Sequence, residues 1–202
     1  MKAVLISIQP KWCEKIAAKW KTMELRKSMP NIPVPFKCYI YQTRHIWAFK
    51  ILRSLKLYNL SDILAGGFGK VIGEFVCDHI LGHCEMANAD IAEHQSKVRR
   101  DKIFEYSGGK EVYGWHISDL VIYDEPKSLS EFRRPATPVE ELDDKLCNYC
   151  RPTDYGDLKS VNTPNGVQMC EGRWCDDAYA KYIENNCVLY RPPQSWCYVE
   201  EV

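Results

Sequence analysis

The chain of 202 residues lacks a long apolar run, a net charge and an internal repeat. No stretch approaches the roughly 20 apolar residues that a membrane-spanning helix needs. The apolar run from Met1 to Ile8 is cut short by Gln9-Pro10-Lys11, well before the length of a signal-peptide core. We therefore expect a soluble, cytoplasmic protein.

The chain carries no net charge, which limits how it can bind nucleic acid. Lysine and arginine number 27, as do aspartate and glutamate, which disfavours bulk electrostatic coating of nucleic acid. The charges are nevertheless unevenly spread: residues 1–28 hold seven bases against two acids, and residues 135–187 hold ten acids against five bases. The first segment can face phosphate and the second would be repelled by it, although most charge runs are merely solvated faces.

Ten cysteines in a reducing compartment do not indicate a disulfide framework. Two local pairs, Cys147-x2-Cys150 and Cys170-x4-Cys175, instead have the spacing of a tetrahedral zinc site, and four thiolates would make that zinc structural. The alternative is a set of scattered buried thiols. We expect Cys13, Cys38, Cys187 and Cys197 to be core or partly buried thiols. The cluster from Cys77 through Asp78 and His79 to Cys84 also looks metal-like, but it lacks obvious partners and is interpreted as structural.

Hydrophobic periodicity predicts short strands with helices between them. A helix is expected after Pro10, with Trp12, Ile16, Ala17 and Trp20 on its buried face. Another is expected over residues 87–106. Strands are expected over residues 2–8, 22–26, 36–42, 70–79, 115–123 and 188–199. This order predicts an α+β protein built on a small mixed β-barrel with flanking helices. The polar segment 135–187 is predicted to be a zinc-binding insertion, so that the barrel comprises residues 1–134 and 188–202.

One early motif carries candidate chemistry: Lys19-Trp20-Lys21-Thr22-Met23-Glu24-Leu25-Arg26. On a strand, Met23 and Leu25 would enter the core, and Thr22, Glu24 and Arg26 would share the other face. Arg26 offers a planar fork for phosphate or a base edge, and Glu24 can accept from an amino group. The alternative is an ordinary surface pair between Glu24 and Arg26, with Trp115 packed in the core.

This motif resembles the Gly-x-Lys-x-x-Glu-x-Arg pattern of the ASCH family, a branch of the PUA-like barrels, with Lys19 in place of the glycine. The strand from Gly69 to Cys77 and the segment Tyr113-Gly114-Trp115-His116-Ile117 also resemble family elements. The resemblance implies RNA or a modified nucleoside as ligand, bound by Lys21, Glu24, Arg26, Trp115 and His116. In this interpretation Trp115 stacks on a base and His116 exchanges a hydrogen bond with it. Such proteins are common in bacteria and phages.

Some ASCH-like proteins remove the acetyl group of N4-acetylcytidine with a lysine, a threonine three residues later and a downstream glutamate. Here Lys21 matches the lysine, Glu24 occupies the threonine position, and Glu74 and Glu93 are candidates for the glutamate. The enzymatic hypothesis therefore makes Lys21 and Glu24 the catalytic pair, with Glu24 as general base on water. A third hypothesis is a protein-interaction module that uses the acidic insert. The oligomeric state stays open.

Overall fold

The computed structural model describes residues 2–44, 67–136, 151–152, 159–163, 166–170 and 187–202, and of residues 151–170 it describes the backbone alone. The chain divides into two compact units. The first comprises Met1–Phe132 with Tyr190–Val202, and the second comprises Arg133–Leu189.

The described helices are α1 (Pro10–Ala17), α2 (Ala89–Ser96) and α3 (Arg100–Ser107), with a short 3-10 turn over Leu129–Glu131. No described helix has the length and apolar character that a membrane crossing requires. The strands, in chain order, are β1 (Lys2–Ile8), β2 (Met23–Arg26), β3 (Phe36–Gln42), β4 (Val71–Cys77), β5 (Ile80–Leu81), β6 (Tyr113–His116), β7 (Ser118–Lys127), β8 (Arg151–Pro152), β9 (Lys159–Thr163), β10 (Gly166–Cys170) and β11 (Trp196–Glu200).

The largest sheet of the first unit has five strands in the order β11-β1-β3-β4-β7. Strand β1 lies next to the edge and pairs in parallel with β3, whereas the other neighbours are antiparallel. Apart from Lys2, every residue of β1 is buried, which its β-branched and aliphatic composition allows on both faces. The α+β class is confirmed. Among the described strands the sheet is open, because β11 and β7 form its two edges and do not close into a hydrogen-bonded barrel.

A second sheet of the same unit has three strands in the order β2-β6-β5. Trp115 of β6 lies opposite Glu24 of β2. Its indole packs edge-on against Phe36 of β3, so the residues of both sheets share one hydrophobic core. Helix α1 contributes Cys13 and Ile16 to that core. This packing fixes β2, and the motif on it, against the larger sheet.

The second unit contains a three-stranded antiparallel sheet in the order β10-β9-β8. Lys159 of β9 pairs with Cys170 on one side and with Pro152 on the other. Pro152 follows Cys150 by two positions in the chain. The backbone thus places Cys170, one of the candidate zinc ligands, in the same small sheet as Pro152.

Four predicted elements differ from those observed. The strand expected over residues 115–123 is two strands of different sheets, since β6 ends at His116 and β7 begins at Ser118. The helix expected over residues 87–106 is two helices, because Lys97 adopts a left-handed conformation (φ +57°) between them. Helix α1 ends at Ala17, so Trp20 lies beyond its last turn and is 69% exposed. The last strand begins only at Trp196, after Pro192-Pro193, because proline cannot donate to a strand ladder.

Candidate functional site

Strand β2 separates the motif into two faces, as its alternation predicted. Met23 and Leu25 point into a small core formed with Ile103 of α3 and Ala92 of α2. Glu24 and Arg26 lie on the opposite face. The chain enters β2 from α1 through Lys19, whose φ of +59° is a conformation that normally favours glycine. This explains physically why a glycine would suit that position.

Lys21, Glu24 and Arg26 form one linked group. Lys21 Nζ lies 3.2 Å from Glu24 Oε2, and Arg26 Nη2 lies 3.1 Å from Glu24 Oε1. Each cation is also anchored to the backbone, since Lys21 Nζ donates to the Ser96 carbonyl at 2.9 Å and Arg26 Nη2 to the Ser7 carbonyl at 2.6 Å. The carboxylate therefore sits between two cations whose positions are fixed by separate elements.

This group is buried, which separates it from an ordinary surface ion pair. Lys21 is 2% exposed and Glu24 is 6% exposed. Burial lowers the pKa of Lys21, and the neighbouring Glu24 opposes that shift. Arg26 Nε is buried and has no hydrogen-bond partner among the described residues. A buried, unpartnered N–H next to paired charges costs stability unless a ligand or water satisfies it.

A cavity of about 610 Å³ opens beside the group. Its volume lies within the range of pockets that hold a small organic ligand. Trp12 is half-buried there, and Tyr106 is 40% exposed. The lining residues are Ser7, Ile8, Gln9, Lys11, Trp12, Lys21, Glu24, Leu25, Arg26, Thr43, Val98, Ile103, Tyr106, Pro192, Pro193 and Gln194.

Trp12 is surrounded by positive charge. The ammonium groups of Lys11, Lys15 and Lys21 lie 4.8, 4.9 and 5.2 Å from its ring centroid, within the range of cation–π attraction. The cavity therefore combines an aromatic surface, cations and one carboxylate. These are the groups that a nucleobase with an attached phosphate requires.

A second, more open depression lies on another side of α1. Its lining consists of Lys15, Lys19, Trp20, Thr22, His94 and Lys97. Lys15 borders this depression and also contacts Trp12 of the cavity. Lys15 therefore places positive charge beside both concavities.

Trp115 and His116 do not join this site, which corrects the sequence-based prediction. The side chain of Trp115 is fully buried between Phe36 and Trp196, so no base can stack on it. His116 is the next residue on β6 and therefore points to the other face of its sheet. There its ring contacts Asp78 and His79 rather than Lys21. Two adjacent strand residues cannot both face one ligand.

The other catalytic candidates are also dispersed. Thr22, which carries the hydroxyl next to Lys21 in the motif, borders the basic depression rather than the cavity. Glu74 of β4 pairs with Lys37 at 3.2 Å and accepts a hydrogen bond from Tyr123, on the face of the large sheet opposite the core residue Phe75. Glu93 of α2 does not line the cavity formed by the described residues. Only Lys21 and Glu24 of the proposed catalytic set are brought together.

Sequence reasoning missed the aromatic and carbonyl parts of the site. The periodicity predicts Trp12 on the buried helix face. Its position next to Lys11 and Lys15 in the sequence is the feature that could have indicated a binding role. Tyr106 and the Pro192-Pro193 turn come from distant parts of the chain, and no local pattern connects them with Lys21. The anchoring carbonyls of Ser7 and Ser96 carry no side-chain signature at all.

The candidate zinc ligands Cys147, Cys150 and Cys175 lie outside the described residues, and only the backbone of Cys170 is described. The zinc site therefore stays a prediction. Cys13 and Cys38 are buried, as expected. Burial raises the pKa of Cys77 to about 12 and that of Cys84 to about 11, so both thiols are protonated near neutral pH.

Comparison with known proteins gives limited matches. No family model and no curated protein matches the chain. It is similar to a solved structure described as ASCH from Zymomonas mobilis, with 14% identity over 92% of this chain and 95% of that one, at a TM-score of 0.43. A point mutant of that protein gives 14% identity over 93% of this chain and 99% of the mutant, at a TM-score of 0.44. ASCH is also the family that the sequence motifs resemble. The function proposed below is therefore based on the residues of the site and not on this similarity.

Proposed function

We propose that this protein binds RNA or a modified nucleoside in the cavity formed by Trp12, Lys21, Glu24 and Arg26. The observation that carries the proposal is a buried cation–carboxylate–cation group that lines a cavity of ligand size. Burying three charges is costly, and replacing them with apolar residues often stabilises a protein. A binding role gives a physical reason for keeping them.

Each group has a distinct task in this proposal. Arg26 lines the cavity, where its guanidinium can face a base edge or a phosphate. Glu24 accepts from an exocyclic amino group, and Lys21 supplies a fixed positive charge. Trp12 and Tyr106 provide flat surfaces for stacking, which contributes about 1–3 kcal/mol per base.

The basic depression favours a polynucleotide over a free nucleoside. Lys15, Lys19 and Lys97 line it together with the exposed ring of Trp20. A strand whose one base enters the cavity would pass its phosphates over these lysines, which bind phosphate without reading sequence. The net neutrality of the chain is compatible with this because its N-terminal segment is locally basic.

Calorimetric titration with cytidine, N4-acetylcytidine and a short single-stranded RNA tests the proposal. Arg26→Lys keeps the charge but removes the planar fork, and we expect it to weaken the best ligand by about tenfold. The matched control is Lys110→Ala, an exposed lysine outside both concavities. Binding that is absent, or that is equally strong in Arg26→Lys with its fold intact, contradicts the proposal.

Hydrolysis of N4-acetylcytidine is the second candidate, and one observation favours it. The lowered pKa of Lys21 increases the fraction of neutral amine that can act as base or nucleophile. Against it, both oxygens of Glu24 are paired with cations, which weakens that carboxylate as a base. Incubation with N4-acetylcytidine and mass spectrometry for cytidine decides the matter. The enzymatic hypothesis predicts product that disappears in Lys21→Ala.

Zinc binding by Cys147, Cys150, Cys170 and Cys175 is a separate proposal. It is supported by the spacing of the pairs and by the register that sets Cys170 level with Pro152 across the small sheet. Elemental analysis of the purified chain should find zinc, and Cys147→Ser should lower the zinc content by one ion per molecule. If the acidic insert instead serves a protein partner, deletion of residues 140–185 abolishes function and Arg26→Ala leaves it intact.

A further inference from the structure

Three metal-ligating side chains meet on the face of β6 that turns away from the Lys21 cavity. Asp78 directly follows β4, His79 directly precedes β5, and His116 ends β6. Their ligand atoms all lie within 4.8 Å of one another. The sequence cluster around Cys77 lacked a partner for a metal, and His116 supplies it from 37 positions beyond His79.

The distances approach those of a coordination site. Asp78 Oδ1 lies 2.6 Å from His116 Nδ1 and 3.2 Å from His79 Nδ1. Around a tetrahedral zinc with Zn–N distances of about 2.0–2.1 Å, neighbouring ligand atoms are roughly 3.3 Å apart. Shifts of about one ångström in the positions of these side-chain atoms suffice to admit an ion between them.

The backbone of the cluster is fixed while its side chains are free to adjust. His116 N donates to the carbonyl of His79 at 3.1 Å, which holds the two histidines side by side. Their rings are stacked, with centroids 4.4 Å apart and planes inclined at 24°. Both rings must turn apart for each Nδ1 lone pair to face one ion, and the exposure of the side chains, 56% for His79 and 26% for His116, leaves room for that rotation.

We propose that Asp78, His79 and His116 bind a divalent first-row transition-metal ion. Two imidazoles and one carboxylate suit Zn²⁺, Co²⁺, Ni²⁺ or Cu²⁺ rather than Mg²⁺ or Ca²⁺, which prefer oxygen ligands alone. Three protein ligands leave at least one coordination position open to solvent, unlike the closed four-thiolate site predicted for the insert. The ion replaces the hydrogen bonds that Asp78 now makes with both rings. This site is independent of the nucleoside proposal.

Imidazole nitrogen NMR tests the site directly. No histidine lies between residues 135 and 187, so the cysteine insert contributes no imidazole resonance to the spectrum. On addition of Zn²⁺ to the full-length chain, the Nδ1 resonances of His79 and His116 should move together to metal-bound values. Those of His83 and His94 should stay in place.

Variants complete the test. His116→Ala should weaken Zn²⁺ binding at His79 by at least about tenfold, since even changes outside the ligand set commonly cost 10–100-fold in affinity. Asp78→Asn should weaken it as well. The matched control is His83→Ala, because His83 is also flanked by carboxylates, with Nε2 3.6 Å from Glu111, but contacts no second histidine in the described part of the chain. No response of the two rings, a uniform response of all histidines, or unchanged affinity in His116→Ala overturns the proposal.

Discussion

At the residue scale, Glu24 links the candidate site together. Its two oxygens each face a different cation, and neither Lys21 nor Arg26 is more than slightly exposed. Removing one member of a buried charge group leaves the others uncompensated. Stability and binding therefore depend on the same carboxylate.

Glu24→Gln should destabilise the protein by about 3 kcal/mol or more, because Lys21 and Arg26 lose their shared counter-charge in a buried setting. Urea unfolding followed by circular dichroism measures the change. Glu14→Gln is the matched control, since Glu14 lies on the exposed side of α1. Equal stability of the two variants would mean that the buried group is solvated after all.

Lys19 sits in a backbone conformation that suits glycine. Lys19→Gly should raise the free energy of unfolding by about 1 kcal/mol, because a residue with a Cβ pays to adopt a left-handed conformation. The same substitution should weaken RNA binding, since Lys19 borders the basic depression. A variant that is less stable than the wild type contradicts the strain that φ +59° implies.

At the scale of elements, strands were easier to predict than helix ends. The strand over residues 36–42 matches its prediction because it directly follows Pro35 and is rich in aromatic residues. The break between α2 and α3 was missed because a lysine, not a glycine, adopts the left-handed conformation at position 97. The prediction that Trp20 lies on the buried face of α1 fails for the same reason. Lys19 also adopts a left-handed conformation, and the helix ends before Trp20. Local propensity does not reveal a residue that tertiary packing forces into an unfavourable conformation.

The contact between β4 and β7 depends on Gly73. A Cβ at this position would overlap the carbonyl oxygen of Val121 on the neighbouring strand. Gly73→Ala should therefore cost about 1–3 kcal/mol, as overpacking against backbone usually does. Gly82→Ala is the control, because there the added Cβ meets the movable carboxylate of Glu111 at 2.9 Å. Similar unfolding midpoints for both variants would contradict the register of β4 on β7.

At the scale of the whole molecule, the site is assembled from parts that are far apart in the chain. The sequence motif identified Lys21, Glu24 and Arg26, and they do converge. It could not identify Ser96, Tyr106 or Pro193, because only the packing of α2, α3 and the C-terminal turn against β2 brings them there. The misplacement of Trp115 has the same origin. A tryptophan on a strand is equally suited to a ligand and to a core, and here packing against Phe36 and Trp196 of the five-stranded sheet decides for the core.

Burial of Lys21 predicts a pH dependence of global stability. Its pKa in the folded protein lies below the ordinary value of 10.5, so the unfolded chain binds more protons between the two values. Stability contributed by this residue should therefore rise with pH within that window and be constant outside it. The difference in unfolding free energy between wild type and Lys21→Met, followed from pH 7 to 10.5, measures the effect. A difference that does not change with pH would exclude the shift.

The most direct measurement of the central claim is photocrosslinking of a short single-stranded RNA that carries 4-thiouridine, followed by mass spectrometry of the crosslinked peptides. A base that enters the cavity must lie against Trp12 or Tyr106, so we predict crosslinks on the peptides that contain them. We also predict their loss in Arg26→Lys and their persistence in Lys110→Ala. Crosslinks confined to peptides outside the cavity and the basic depression would contradict the account.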